Sequence, residues 1–227
     1  MWTFRKDTQM NPTLKDRIGD EAAQHLQTAL PNTPLPGSDA TVGSLTFSLA
    51  TEDSVEGCLT GIAVAEALGA PVEGRSQEWI RQRIGRVEGF LTKNPTIGSD
   101  TELALLTVDA VLDNPSNHPQ SLANRLLTST VRSRGQTLDY TRDQLKQGAV
   151  WWKAAAPNSA GTAGPARCAA IGLLWSGNPE RAAYEAALSC SLTHSHPVAI
   201  AGAAATAAAV STAASGTTLD FLPLVIR

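Results

Sequence analysis

Thirty-five alanines in 227 residues, ten of them within the eighteen positions from 197 to 214, constrain this chain more than any other feature. Alanine is the best helix former and loses no side-chain entropy in a helix, whereas strands favour β-branched and aromatic side chains. Aromatic residues make up only 5% of the chain. Such a core closes by drawing helix axes together, so the expected fold class is all-α, a compact multi-helix bundle. With 42% hydrophobic residues the apolar surface suffices for a core, and wholesale disorder is excluded. The run at 197–214 has few large apolar residues and is interrupted by Gly202, Thr206, Ser211 and Thr212. A membrane span would carry more Leu, Ile and Val, so this run reads as a buried helix and no membrane partner is expected.

Eighteen basic against 21 acidic residues give a net charge of −3. A nucleic-acid binder that relies on phosphate contacts needs a basic surplus, so that class is not expected. Cys58, Cys168 and Cys190 stand apart in apolar surroundings, an odd number with no CxxC pair. They read as small core residues in a reducing compartment. The charged start, MWTFRKDTQMNPTLKDR, has no apolar leader segment, and the expected location is cytoplasmic.

Residues 1–11 read as a loose tail, 12–30 as a helix with Pro12 in its first turn, and PNTPLPGSDATVG (31–43) as a linker. Residues 1–50 are therefore expected as an extension to a helical domain spanning 51–227. Within that domain, Ser54 or Asp53 caps a helix to Leu68, and Ser76 caps a short one closed at Gly85. A loop covers 86–98, and Asp100 caps a helix to Leu112. Further helices are expected near 119–133, 139–155, 165–176, 179–192 and 197–214, four of them with Pro119, Pro165, Pro179 and Pro197 near the first turn.

Four segments carry candidate chemistry. In GCLTGIAVAEALGAPVEG (57–74), Glu66 lies on a helix that is apolar nearly all round. Isolated burial of a carboxylate costs several kcal/mol, about as much as a strong buried pair returns, so Glu66 either pairs with a core Arg or faces a polar cavity. Glu73 follows the Gly-Ala-Pro exit, where a functional carboxylate or a merely solvated one are both open. In GSDTELALL (98–106), Ser99, Asp100 and Thr101 gather oxygens at a helix start, as an ordinary N-cap or as ligands to a hard cation. In SAGTAGPARCAAIGLLWSGNPERAA (159–183), Gly161 and Gly164 permit close approach of a ligand or simply open a helix. Arg167 can meet a phosphate or a carboxylate such as Glu66. In LTHSHPVAI (192–200), His194 and His196 lack local partners for zinc and read as a cap or a junction residue. His25 and His118 lie in polar, exposed contexts.

Together these segments resemble the ADP-ribosylglycohydrolase family, to which bacterial dinitrogenase-reductase-activating glycohydrolases belong. The carrying motifs are GCLTGIAVAEALGAPVEG, SDTELAL, AGPARCAAIGLL with SGNPERAA, and LSCSLTHSHPVAIAGAAATAAAV, from Ser54 to Ala214. The resemblance implies an all-α fold holding two Mg²⁺ or Mn²⁺ ions, and release of ADP-ribose from modified side chains or related compounds. Metals would position the ribose and water, and nearby carboxylates would stabilise an oxocarbenium-like transition state. It further implies Glu66 and Glu73 as catalytic residues, Ser99, Asp100 and Thr101 as metal ligands, and Gly161, Gly164 and Arg167 as ligand-binding residues.

The motifs depart from the family's at defined positions. Ala65-Glu66-Ala67 replaces Gly-Asp-Ala, and Gly98-Ser99-Asp100-Thr101 replaces Thr-Asp-Asp-Thr, so only the second Asp and the last Thr survive. Ala163-Gly164-Pro165 replaces Asn-Gly-Pro/Ala, with Arg167 one residue early. The family's second Asp-x-Asp-Thr motif is not met before Arg227, and the metal centre is expected to be incomplete. The resemblance therefore implies a degenerate or weakly active member that binds ADP-ribose, a nucleotide or a protein partner. An active metal-assisted hydrolase acting on ADP-ribosylated protein is the alternative.

Overall fold

The computed structural model describes residues 12–29, 47–132 and 135–216. The expected tail, the Pro/Gly linker and the closing segment after Gly216 lie outside the described residues. About two thirds of the described residues are helical, and the β-pairing among them is confined to isolated bridges.

The alanines do what their size allows. Helices α10 (Pro179–Cys190) and α11 (Pro197–Ala214) form the central pair, flanked by the short α8 (Ala163–Cys168) and α9 (Ile171–Leu174). Ile200, Ala203, Ala207 and Ser211 recur at helical spacing on the buried side of α11. At Gly172 the approach is closest. A Cβ there would lie 2.5 Å from the Ala207 carbonyl oxygen and 2.8 Å from the Ser211 nitrogen, so backbone meets backbone between α9 and α11. Helices α5 (Ser99–Asp113) and α6 (His118–Thr128) pack on each other, and α5 also on α8. Further along lies α7 (Gln136–Lys146). The helix expected over 139–155 stops there because Gly148 takes φ 88°, and a 3-10 turn, Trp151–Lys153, follows. The one expected over 165–176 is split into α8 and α9.

The helix expected over 12–30 breaks at Gly19 (φ 89°) into α1 (Leu14–Ile18) and α2 (Asp20–Ala29). Thr13 and Asp16 form a capping box that starts α1. Leu14, Ile18, Ala22, Ala23 and Leu26 join the main core. Arg17 goes deeper: Nη1 and Nη2 donate to Glu185 Oε1 and Oε2 at 2.8 and 2.9 Å, while Nε and Nη2 also reach the carbonyls of Ser116 and Pro115. His118, expected to be exposed, is fully buried, and its Nε2 lies 2.8 Å from Glu185 Oε2. Arg181 is the second cation on Glu185, and the Tyr184 ring lies 5.5 and 5.6 Å from the Arg17 and Arg181 guanidinium carbons. Burial opposes ionisation of Glu185, but Arg17, His118 and Arg181 outweigh it and hold the carboxyl down at about 2. Burial holds His118 below its ordinary value, so its neutral ring donates Nε2–H to the carboxylate.

Helix α3 (Glu52–Gly69) is capped by Thr51, two or three residues earlier than expected, and runs through a 3-10 turn (Ala70–Val72) into α4 (Gln77–Arg83), which Ser76 caps. It packs on α5. Both Glu52–Val72 and Pro197–Ala214 are long and apolar enough to cross a membrane by length and composition. In α3 only Ala67 is buried, and half of its residues are exposed.

Candidate functional site

The C-terminal half of α3, the 3-10 turn, the loop before α5, the first turn of α5 and one side of α8 enclose a cleft of about 820 Å³, in the range of small-molecule sites. Glu66, Glu73, Ser99 and Asp100 all line it. Four residues from two distant segments, singled out in the sequence, thus share one wall.

Glu66 organises that wall. Helix α5 begins after Gly98, which has no side chain to cap it. Its free N–H groups instead turn to α3: Asp100 N donates to Glu66 Oε1 at 2.8 Å, and Thr101 N and Oγ1 donate to Oε2 at 3.1 and 2.6 Å. Burial opposes ionisation of Glu66, but the Thr101 hydroxyl and the backbone donors prevail, and its carboxyl sits below the usual range. Asp100 does not cap α5 as the sequence suggested; its backbone is the donor. Its side chain is half-buried, and burial, followed by the charges of Glu66 and Glu73, raises its carboxyl above the ordinary value. Glu73 is exposed at the end of the 3-10 turn, and Thr101 is buried beneath the wall.

The third segment is placed differently. Arg167 is 1% exposed and turned inward, with Nη1 on Ser189 Oγ at 2.7 Å and Nη2 on Ser189 O and Thr193 Oγ1. It meets neither Glu66 nor the cleft, because it lies on the side of α8 that faces α10. Gly164 is small for packing: a Cβ would lie 2.5 Å from Cys190 Sγ and 3.2 Å from His194 Nδ1. Gly161 is exposed beside Thr162, which lines the cleft. Ala166 and Ala169 supply the rest of the wall from α8.

His196 caps α11 by accepting from Val198 N, and His194 is a buried junction residue with Nδ1 2.8 Å from Thr193 Oγ1. Burial, then the nearby Arg167 charge, push His194 down to about 4, so its ring is neutral. Burial raises all three thiols, Cys190 to about 12, which makes them poor nucleophiles. Arg132 was not apparent from the sequence, since no motif surrounds it. It lines the cleft mouth, held by Glu102 at 2.9 Å and by the Ile97 carbonyl. Glu102, one turn into an apolar helix, was the available signal for such a partner.

Among the described residues the donor set falls short of a two-ion centre. Both Glu66 oxygens are taken by donors of α5, position 99 offers a hydroxyl, and Asp100 and Glu73 are the carboxylates left facing the cleft. Among the described residues no group of three or more His, Cys, Asp or Glu is placed to hold a metal ion.

An all-helical bundle with a carboxylate-walled cleft at the start of an internal helix is the class of protein that fold and site define. A family model described as ADP-ribosylglycohydrolase matches residues 48–226, and the chain belongs to that family. It is also 33% identical over 170 residues to an uncharacterized protein of Archaeoglobus fulgidus, an alignment covering 70% of this chain and 55% of the relative. The chain thus spans about half the length of the curated relative it matches. Residues 12–29 precede the matched region, yet they supply part of the core and the Arg17 clasp.

Proposed function

We propose that the cleft binds an ADP-ribosyl group, free or attached to a protein side chain, and that these residues hydrolyse it slowly or not at all. One observation carries the reading: Glu66 accepts from α5 through both oxygens, which leaves Asp100 and Glu73 as the carboxylates free to face a ligand. Glu73 and Asp100 remain to face the sugar, and Arg132 at the mouth supplies a positive group for a diphosphate. The three free cysteines are in keeping with a reducing, cytoplasmic setting.

Isothermal titration with ADP-ribose, beside a hydrolysis assay on ADP-ribosyl-arginine with and without Mg²⁺, tests it. Expected are binding that survives chelation and turnover near background. Mg²⁺-dependent turnover abolished by Asp100→Ala would overturn it in favour of an active hydrolase. That second reading has its own observation: the charges of Glu66 and Glu73 raise Asp100, and a single cation beside these carboxylates would relieve their repulsion. Failure of ADP-ribose to bind would sink both.

A further inference from the structure

The start of α5 carries an arrangement that no pattern of local residues explains. An α-helix leaves its first N–H groups without internal partners, and a side chain of the residue just before the helix normally takes one. Here that residue is Gly98, and the acceptor comes from α3, 34 positions before Asp100 in the chain. The carboxylate of Glu66 is not merely near Gly98; it occupies the place of its side chain. A Cβ built on Gly98 would lie 2.6 Å from Glu66 Oε1 and 3.2 Å from Glu66 Cδ, with Glu66 Cγ next. The three nearest atoms such a Cβ would meet all belong to Glu66. Gly98 has φ −125°, which any residue adopts, so backbone conformation does not demand glycine. Space does.

We infer that Glu66 is the N-cap of α5 supplied from a neighbouring helix, a positioning residue that fixes Asp100 and Thr101 in the cleft wall, and that position 98 is glycine because this carboxylate fills it. Glu66 and Gly98 are then one device: a longer acid on α3 and a missing side chain before α5. The ion at the helix start is the protein's own, and the positive end of α5 is satisfied before any ligand arrives. This goes beyond the proposed function and does not depend on it, since it concerns how the wall is built whatever binds there.

Two substitutions and their combinations test it in the full chain. Gly98→Ala adds only a methyl group. It should lower Tm by roughly 2–6 °C in the native background, the loss expected when a cap is displaced from a domain of this size. In a Glu66→Ala background the same change should cost nothing or stabilise, because the colliding carboxylate is gone. Glu66→Ala alone should lower Tm by a similar amount, and Gly98→Asp in that background should restore it by supplying a local cap. Amide exchange at Asp100 and Thr101 should quicken in Glu66→Ala and return to native in Glu66→Ala/Gly98→Asp, a readout that general packing loss would not restore. Should Glu66→Ala fail to fold, Glu66→Gln with the same exchange measurement and the Gly98→Ala comparison takes its place. Equal cost of Gly98→Ala in both backgrounds overturns the inference, as does failure of Gly98→Asp to recover either Tm or exchange protection.

Discussion

Arg17→Ala is the sharpest perturbation of the fold. The guanidinium is buried, makes two bonds to Glu185, and supplies donors to the carbonyls of Ser116 and Pro115. Burial lowers both arginines of the cluster, but Glu185 overcomes it for Arg17 and does not for Arg181, so Arg17 is the stronger partner. Removing one member of a buried pair leaves the other charge in low dielectric and costs about 3–5 kcal/mol. For a domain of this length that is roughly 6–20 °C in Tm. Urea unfolding followed by circular dichroism at 222 nm measures it. Lys15→Ala, which breaks an exposed pair between Lys15 of α1 and Asp20 of α2, is the control and should cost less than about 0.5 kcal/mol. A loss below about 1 kcal/mol for Arg17→Ala would refute the reasoning: Glu185 would then be content with Arg181 and His118 alone.

Acid should weaken the protein in two stages. His194 is held at about 4 against 6.5 unfolded, so below pH 6.5 the unfolded chain takes up the proton first. Stability is full above that value and falls by ~2 kcal/mol from pH 7 to pH 5, a slope His194→Asn should flatten in urea titrations. Glu185 is depressed to about 2, so its contribution is whole above 4.5 and is lost as pH falls through about 2. Gly172→Ala should destabilise by about 1–3 kcal/mol, since α9 and α11 must part to admit a methyl group. Gly57→Ala, in open space on α3, should stabilise by about 0.5–1 kcal/mol in the same assay. Asp100→Asn, which removes a charge repelled by Glu66 and Glu73, should leave Tm unchanged or raised; a clear fall in Tm would contradict the repulsion.

Helices announced themselves through alanine content, Pro at first turns and Gly at ends, because those are local preferences. The breaks at Gly19 and Gly148 were missed, since a glycine is read as a stop only when the flanking periodicity also fails. In the cleft, Glu66, Glu73, Ser99 and Asp100 were legible as chemistry on two segments, and the fold brings them together. What they do to one another was not legible. That Glu66 caps a helix it does not belong to depends on the distance between α3 and α5, and no spacing along the chain encodes that. Arg167 misled for the same reason: a first-turn arginine has two sides of a helix to choose from, and Ser189 and Thr193 decided the matter from far along the chain. His118 looked solvated among Asn, Ser and Pro because its partner lies at position 185.

The bond between Arg17 and Glu185 joins residues 168 positions apart, so α1 can be seated only after α10 has been made. At ordinary elongation rates, Arg17 waits on the order of 10–30 s for its carboxylate to be made. Until then α1 is an arginine-bearing turn without its partner, and the groove that will receive it does not exist. This contact is therefore late by topology: the ion pair cannot close until the chain up to α10 has been made.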